Sequence, residues 1–442
     1  MMAMENRVLG MLPLTAAWTA RQAARRLRGL PSSFLSGFES DSSPFAGRAP
    51  QRVAVLGAGL AGLSAALRLV KLGHEVTVLE ASGHAGGRAA TLRDPFSRGL
   101  QADAGGFRFR DIDHLVKSYV KRYGLTTVPF YPTEGKFLAY IGGRLFSRNR
   151  WDRIPSRNFP RRLTEQEEWC FNQEHDYPTF KLGEGVNALA NAMAAELGHR
   201  VQYNCPVTAI RHDTQSPRVT YSNADSLREL VVDQVVCAIP FSSLRRISIT
   251  PGVAAEKQRT IAGLGYEHPC LVFLEVRTGF LKQLGLNGFA VTDTVGEIWN
   301  LTFDRPGQPL GILLSYTRGE LARQYAAMDE PTRIDTIVQR LEVIFPGVGA
   351  AFERGVSKFW GQDEWILGAQ SLAGRQPASE VAIMSRPEGR LHFAGEHTGS
   401  AHHGWMEAAF ESGHRCALEI DRAPIESERS AMAAVPAAKV MS

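Results

Sequence analysis

The chain has 442 residues, 44% of them hydrophobic and 21% charged, the composition of an ordinary folded protein with room for two or three domains. That excludes wholesale disorder, a coiled coil and a collagen-like repeat, and no apolar run reaches the ~18 residues of a membrane span. The net charge of +5 comes largely from Arg7, Arg21, Arg25, Arg26 and Arg28 near the start, so the near-neutral remainder gives no reason to expect a nucleic-acid partner.

In chain order, residues 1–50 read as an arm and linker: a basic amphipathic helix over 15–27, then a stretch rich in Ser, Gly and Pro. A targeting or membrane-surface role for the arm stays open. From residue 51 the pattern becomes β-α-β. RVAVLGAG is a buried strand and tight turn, LAGLSAALRLVKLG a helix closed by Gly73, and HEVTVLEA a second buried strand. Further strands are expected over residues 230–240, 269–276 and 310–316, and a helix over 332–344. Cys170, Cys205, Cys237, Cys270 and Cys416 form no CxxC pair. Reduced thiols, no metal site and a cytoplasmic location are the expectation.

Gly57, Gly59 and Gly62 spell GxGxxG between the first strand and the helix, and Glu80 closes the second strand. Gly57 allows the tight turn, Gly59 lets backbone approach a pyrophosphate, and Gly62 lets helix and strand pack closely. The helix start, at Leu60 and Ala61, offers free N–H groups and a positive dipole end to phosphates. Glu80 suits ribose hydroxyls. A lone GxGxxG says little; strand, turn, helix, strand and terminal acid together specify a dinucleotide site.

The continuation ASGHAGGR, with Gly86, Gly87 and Arg88, resembles the flavin-contacting segment of the flavin amine oxidase family, which includes monoamine, polyamine and L-amino-acid oxidases. LHFAGEHTGSAHHGWMEAAFESGHR, near the C-terminus, resembles that family's second flavin motif. By this resemblance Glu396 binds the flavin's ribitol chain, the Met406 backbone N–H meets the flavin pyrimidine, and the Val207 backbone contacts the adenine side. Gly105, Gly106 and Phe107 join the cofactor-binding set. A helix start there would stabilise negative charge developing on the reduced ring. Ala369 stands where monoamine oxidases have their flavin-linking cysteine, so the resemblance implies non-covalent FAD.

The implied fold is α/β plus β: a Rossmann-like FAD-binding domain from residues 51–120, 183–245 and 385–422, with an inserted mixed-sheet substrate domain from 121–182 and 246–384, and a tail over 423–442. The segment DAGGFRFRDIDHLVKSYV is similar to the L-amino-acid oxidase branch, in which Arg108 and Tyr316 would grip a substrate α-carboxylate. Arginine suits this because its planar fork forms two parallel hydrogen bonds. The alternative is that Arg108 pairs with Asp103 or Asp111. Trp405 would wall the pocket, Gly404 would offer its carbonyl to the amine, and Trp360 is read as core. Gln370 replaces a tyrosine of the monoamine oxidase cage.

The expected reaction is oxidation of the C–N bond of an amino acid or related amine, with hydride transfer to flavin, giving imine, keto acid, ammonia and hydrogen peroxide. The electron acceptor is dioxygen or another species. The family's flavin-proximal lysine falls at or near Leu271; Glu267 and His268 are candidate substitutes, otherwise surface loop. Residues 148–180 are short for the family's helical lid. A homodimer stays open, as does a desaturase of an apolar substrate, which would have no use for Arg108 and Tyr316.

Overall fold

A computed structural model describes residues 49–97, 99–148, 160–162, 177–212, 216–224, 226–400 and 402–422. The helix expected at 15–27 and most of the expected lid remnant lie outside them.

A five-stranded parallel sheet is built in the order Val201–Gln202, Glu75–Leu79, Arg52–Leu56, Gln234–Cys237, Leu391–Phe393. Its strands are apolar and β-branched because both faces are covered. The helix Leu60–Lys71 lies on one face and buries nine of its residues. It stops in a Schellman motif: Gly73 N–H donates to Val70 O and His74 N–H to Leu69 O, both at 3.0 Å, with Gly73 at φ +89°. The long helix Met406–Arg422 packs on it through Gly413. A Cβ there would stand 2.1 Å from Ser64 Oγ and 2.3 Å from Ala61 O.

The strand expected over 230–240 is two strands in two sheets. Ser226–Val231 pairs antiparallel with Arg218–Asn223 in a four-stranded sheet, and Gln234–Cys237 enters the parallel one. The break is at Asp233, whose carboxylate accepts from Arg52 N–H at 2.8 Å and ion-pairs with the Arg52 guanidinium. A buried strand cannot carry that charge through its centre. The strand Ser248–Thr250 completes the four-stranded sheet, and Val253, Ile261 and Leu264 share a core with Leu56 and Phe393. The boundary drawn at residue 246 therefore cuts through this core.

A seven-stranded mixed sheet follows the order Phe352–Phe359, Cys270–Arg277, Leu310–Thr317, Glu297–Asn300, Leu286–Thr292, Lys136–Ile141, Arg144–Arg148. Only the pairing of Leu286–Thr292 with Lys136–Ile141 is parallel. Side chains alternate across its faces. Cys270, Val272, Leu274 and Leu313 pack under the helix Glu330–Leu341, whereas Leu271, Phe273, Leu314 and Tyr316 face the other way with Trp299 and Trp360. That helix begins two residues before the expected 332 because Asp329 caps it, accepting from Thr332 N–H at 2.8 Å.

Gly62 sits where the first helix crosses its strand, and a Cβ there would lie 2.0 Å from Gly57 O. Since backbone, not a flexible side chain, is in the way, Gly62→Ala is expected to cost at least about 1–3 kcal/mol, measured by thermal unfolding. Parent-like stability would contradict the packing role.

Candidate active site

One cavity of about 1150 Å³ runs from the parallel sheet to the seven-stranded sheet, and every expected site residue except Gly62 lines it. Gly62 acts behind it, in the helix–strand contact.

At the parallel-sheet end, the turn after Leu56 is held from two sides. Gly57 N–H donates to Leu79 O (2.8 Å) and Gly86 N–H to Ala58 O (2.9 Å). A Cβ on Gly87 would lie 3.5 Å from Gly59 Cα, so the two glycine loops touch backbone to backbone. No acidic residue occupies the first turn of Leu60–Lys71, leaving its positive end available to an anion. Glu80 is more structural than the sequence suggested: Oε2 accepts from Ala58 N–H (2.6 Å), and Oε1 from Ser82 N–H (2.9 Å) and Oγ–H (2.8 Å). It shapes the loop as well as facing the cavity. Val207 opens its strand on the cavity wall beside Cys205 and Pro206.

The middle of the cavity is organised by Glu396. Its Oε1 accepts from Arg88 Nη1 (2.6 Å) and Ser371 N–H (3.0 Å), and its Oε2 from Ser371 Oγ–H (2.7 Å) and Gly404 N–H (2.8 Å). Burial alone would raise this carboxyl. The Arg88 charge, with hydrogen bonds from Arg88 and Ser371, outweighs burial and holds it at about 2. Arg88 Nη1 also donates to Ala369 O at 2.6 Å. Gly105 and Gly106 close the slot: a Cβ on the first would lie 2.3 Å from Arg88 O, and on the second 3.4 Å from Met406 Sδ. Met406 opens its helix there. The next residue, Glu407, accepts from Leu115 N–H and Val116 N–H, both at 3.0 Å, and burial pushes its carboxyl up to about 7.

Arg108 and Arg110 have separate jobs. Arg110 forks onto Asp113 (3.3 and 2.7 Å) and lies 4.2 Å from the centre of the Trp405 ring system. Arg108 reaches the cavity inside an aromatic box: its guanidinium carbon is 5.1 Å from the Phe130 ring, 5.2 Å from Trp299, 5.9 Å from Tyr131 and 6.0 Å from Trp405. Its Nη1 donates to Tyr131 Oη. The two acids weighed as partners are occupied elsewhere. Asp103 accepts from Thr91 Oγ–H (2.6 Å) and Val186 N–H (2.9 Å), and Asp111 pairs with Lys117 (2.5 Å). Tyr316 stacks on Trp299 at 5.1 Å and 17°, and Phe107 meets both edge-on. Burial pushes the Tyr316 phenol up, so it remains an O–H donor.

Four residues that sequence reasoning passed over complete this wall. Trp299 lines the cavity, and Tyr131 accepts from Arg108 Nη1. Arg318 lies 4.2 Å over the Tyr316 ring; its place just past the end of the strand Leu310–Thr317 that carries Tyr316 was the available signal. Lys358 stands opposite Leu271 on the neighbouring strand, lines the cavity and pairs with Asp363 at 2.6 Å. Glu267, treated as surface loop when not a substitute for the missing lysine, lies on the cavity wall, whereas His268 is exposed. Trp360 is core as expected, donating from Nε1 to Ala104 O at 2.8 Å, and also borders the cavity.

The Glu396 arrangement carries a pH dependence. Its pKa falls from 4.5 unfolded to about 2 folded, so its contribution, on the order of 3 kcal/mol, is present above pH ~4.5 and disappears as pH falls toward 2. Glu396→Gln is expected to lower stability at pH 7 and to flatten the stability curve between pH 4.5 and 2. An unchanged slope in chemical denaturation across that window would contradict this.

The family model for flavin-containing amine oxidoreductases matches residues 60–167 and 162–421. The L-amino-acid oxidase of Bungarus fasciatus is 23% identical, over 86% of this chain and 88% of its own. Among solved structures, putrescine oxidase bound to putrescine aligns at a TM-score of 0.72 and 20% identity, covering 84% of this chain and 99% of its own. Cyclohexylamine oxidase from Brevibacterium oxydans aligns at 0.73 and 18%, covering 84% and 99%. Those two likenesses show that the chain shares their fold. With the family's sequence pattern running through nearly all of the parallel sheet, the Glu396 arrangement and the aromatic wall, the chain belongs to the flavin-containing amine oxidoreductases.

Proposed function

We propose that the protein is an FAD-dependent oxidoreductase that oxidises the C–N bond of an α-amino acid. The observation that carries the reading is that Arg108 and Tyr316, each packed against the Trp299 ring, both line the cavity that also holds the glycine loops, Arg88 and Glu396. FAD, when bound, supplies a two-electron acceptor for the substrate Cα hydride.

The residues present suit that cofactor. Touching glycine backbones and an acid-free helix start fit a pyrophosphate in a Rossmann-type GxGxxG site. Gly105 and Gly106 line the cavity without a side chain to block a flat ring system, and Gly105 is packed so closely on Arg88 O that a Cβ there would lie 2.3 Å away. A covalent link needs a nucleophile, and Ala369 offers a methyl group, which supports non-covalent binding. The FAD-binding part would comprise residues 51–120, 183–245 and 385–422, extended by the segment around 248–264 that shares its core.

The protein's own part is positioning and exclusion of water. The Arg108 guanidinium would take a substrate carboxylate in a two-pronged contact, with the Tyr316 hydroxyl donating a further hydrogen bond. The aromatic box holds that guanidinium in a low-dielectric setting, which strengthens its pull on an anion. Gly404, whose N–H is tied to Glu396, would present its carbonyl to the substrate amine beside the Trp405 ring. An apolar surround favours the neutral amine, the form that can release hydride. The resulting imine hydrolyses to a keto acid and ammonia, with hydrogen peroxide formed where dioxygen takes the electrons. A hydrocarbon substrate would leave Arg108 and Tyr316 without purpose.

Purified protein is expected to be yellow and to release FAD on mild denaturation. Anaerobic bleaching of that colour by amino acids tests the reaction without presuming an acceptor. Arg108→Ala should slow bleaching by carboxylated substrates by more than about tenfold, since a charge-assisted contact contributes roughly 1.5–3 kcal/mol. Equal rates in variant and parent would remove the amino-acid assignment.

A further inference from the structure

Resting on the reading that the substrate lies beside Trp405, we infer that Arg110 is a positioning residue: clamped outside the cavity by Asp113 and His402, it holds the Trp405 ring in place as the cavity wall.

Asp113 occupies the N-cap position of the helix His114–Arg122, where an aspartate ordinarily accepts from the second or third backbone N–H of the helix. Here its side chain caps nothing. Those two N–H groups, of Leu115 and Val116, donate instead to Glu407, in the first turn of the helix Met406–Arg422. The Asp113 carboxylate, 1% exposed, is thereby released for Arg110. Its Oδ2 accepts from the Arg110 backbone N–H (2.7 Å) and Nε–H (3.3 Å), and its Oδ1 from Nη2 (2.7 Å). Such a fork fixes the plane of the guanidinium.

The fixed guanidinium meets Trp405. Its carbon lies 4.2 Å from the centre of the ring system, within the range of a cation held by an aromatic face. Trp405 lines the cavity and Arg110 does not, so the support comes from outside. The turn that carries the ring is tied to the same group. Arg110 Nη2 also donates to His402 Nδ1 at 2.8 Å; a guanidinium has no acceptor, so the imidazole must accept. Burial, then the Arg110 charge, pushes the His402 pKa down, which keeps the imidazole in the neutral form that can accept. His402 O accepts in turn from Trp405 N–H (3.0 Å), and His402 holds a left-handed backbone at φ +56°, uncommon outside glycine. One guanidinium thus fixes both the indole and the turn from which it projects. An ion pair serving only the turn at 110–113 would need neither contact.

The test uses the flavin-loaded full chain and a double-mutant cycle on kcat/KM in anaerobic bleaching, with whichever amino acid or amine bleaches the parent fastest. Arg110→Lys keeps a charge for Asp113 but loses the planar fork, and should lower kcat/KM by about three- to tenfold. In the Trp405→Ala background the same change should cost less than about twofold, because the group it acts through is gone. The near-UV circular dichroism contributed by Trp405, read as the signal lost on Trp405→Ala, should fall by about half or more in Arg110→Lys, since a ring freed from its stack loses its fixed orientation; this comparison needs no substrate. Losses that multiply in the cycle, or a Trp405 signal of parent size in Arg110→Lys, overturn the inference and leave Trp405 as a substrate wall. Should Arg110→Lys not fold, His402→Gly takes its place with the same outcomes, since glycine accepts the left-handed backbone and removes the acceptor. A Trp405→Ala enzyme that bleaches as fast as the parent would defeat the wall reading, and this one with it.

Discussion

The arrangement of the site depends on one buried carboxylate. Glu396 accepts four hydrogen bonds from three chain segments, that of Arg88 being 308 residues away and those of Ser371 and Gly404 25 and 8. A buried ion pair of this kind contributes little net stability over a well-packed apolar alternative. Its value is geometric. Removing any one partner leaves an uncompensated buried group, so the three segments are held in a single relation. Arg88 Nη1 extends the arrangement to Ala369 O, and Gly404 passes it to Trp405 on the cavity wall.

The second organising element is the face of the seven-stranded sheet. Strand alternation sends Cys270, Val272 and Leu313 into one core and Leu271, Leu314 and Tyr316 toward the cavity. On that face the contacts run from Arg108 through Trp299 and Tyr316 to Arg318, two stacked rings with a cation at each end. Each ring adds a favourable cation–π contact to the guanidinium beside it. Arg110, two residues from Arg108 and forked onto Asp113, shows the contrasting structural use of the same side chain.

Much of this was legible in residue order because it is local. The β-α-β start is written in buried strand runs, three spaced glycines and a helix terminated by Gly73, and local backbone physics suffices to read it. The same holds for the residues around Glu396 and Met406, whose motif is contiguous. Reading failed where a decision involved partners distant in sequence. Residues 230–240 look like one strand; the break at Asp233 depends on Arg52, which no local pattern reveals. Glu267 looks like loop surface until Arg318 and the cavity are brought beside it.

Residue order by itself determined the glycine-rich turn between strand and helix, the family's motifs and the presence of an arginine and a tyrosine of the chemistry a carboxylate would need, since each follows from short-range spacing and side-chain chemistry. Only the tertiary structure decided that Arg108 and not Arg110 faces the cavity, that Glu80 serves its own loop, and that Trp299, Arg318, Lys358 and Glu267 line the cavity. Those outcomes are set by strand register and by charges meeting across segments hundreds of residues apart, and electrostatic and packing energies depend on that proximity in space rather than on order along the chain.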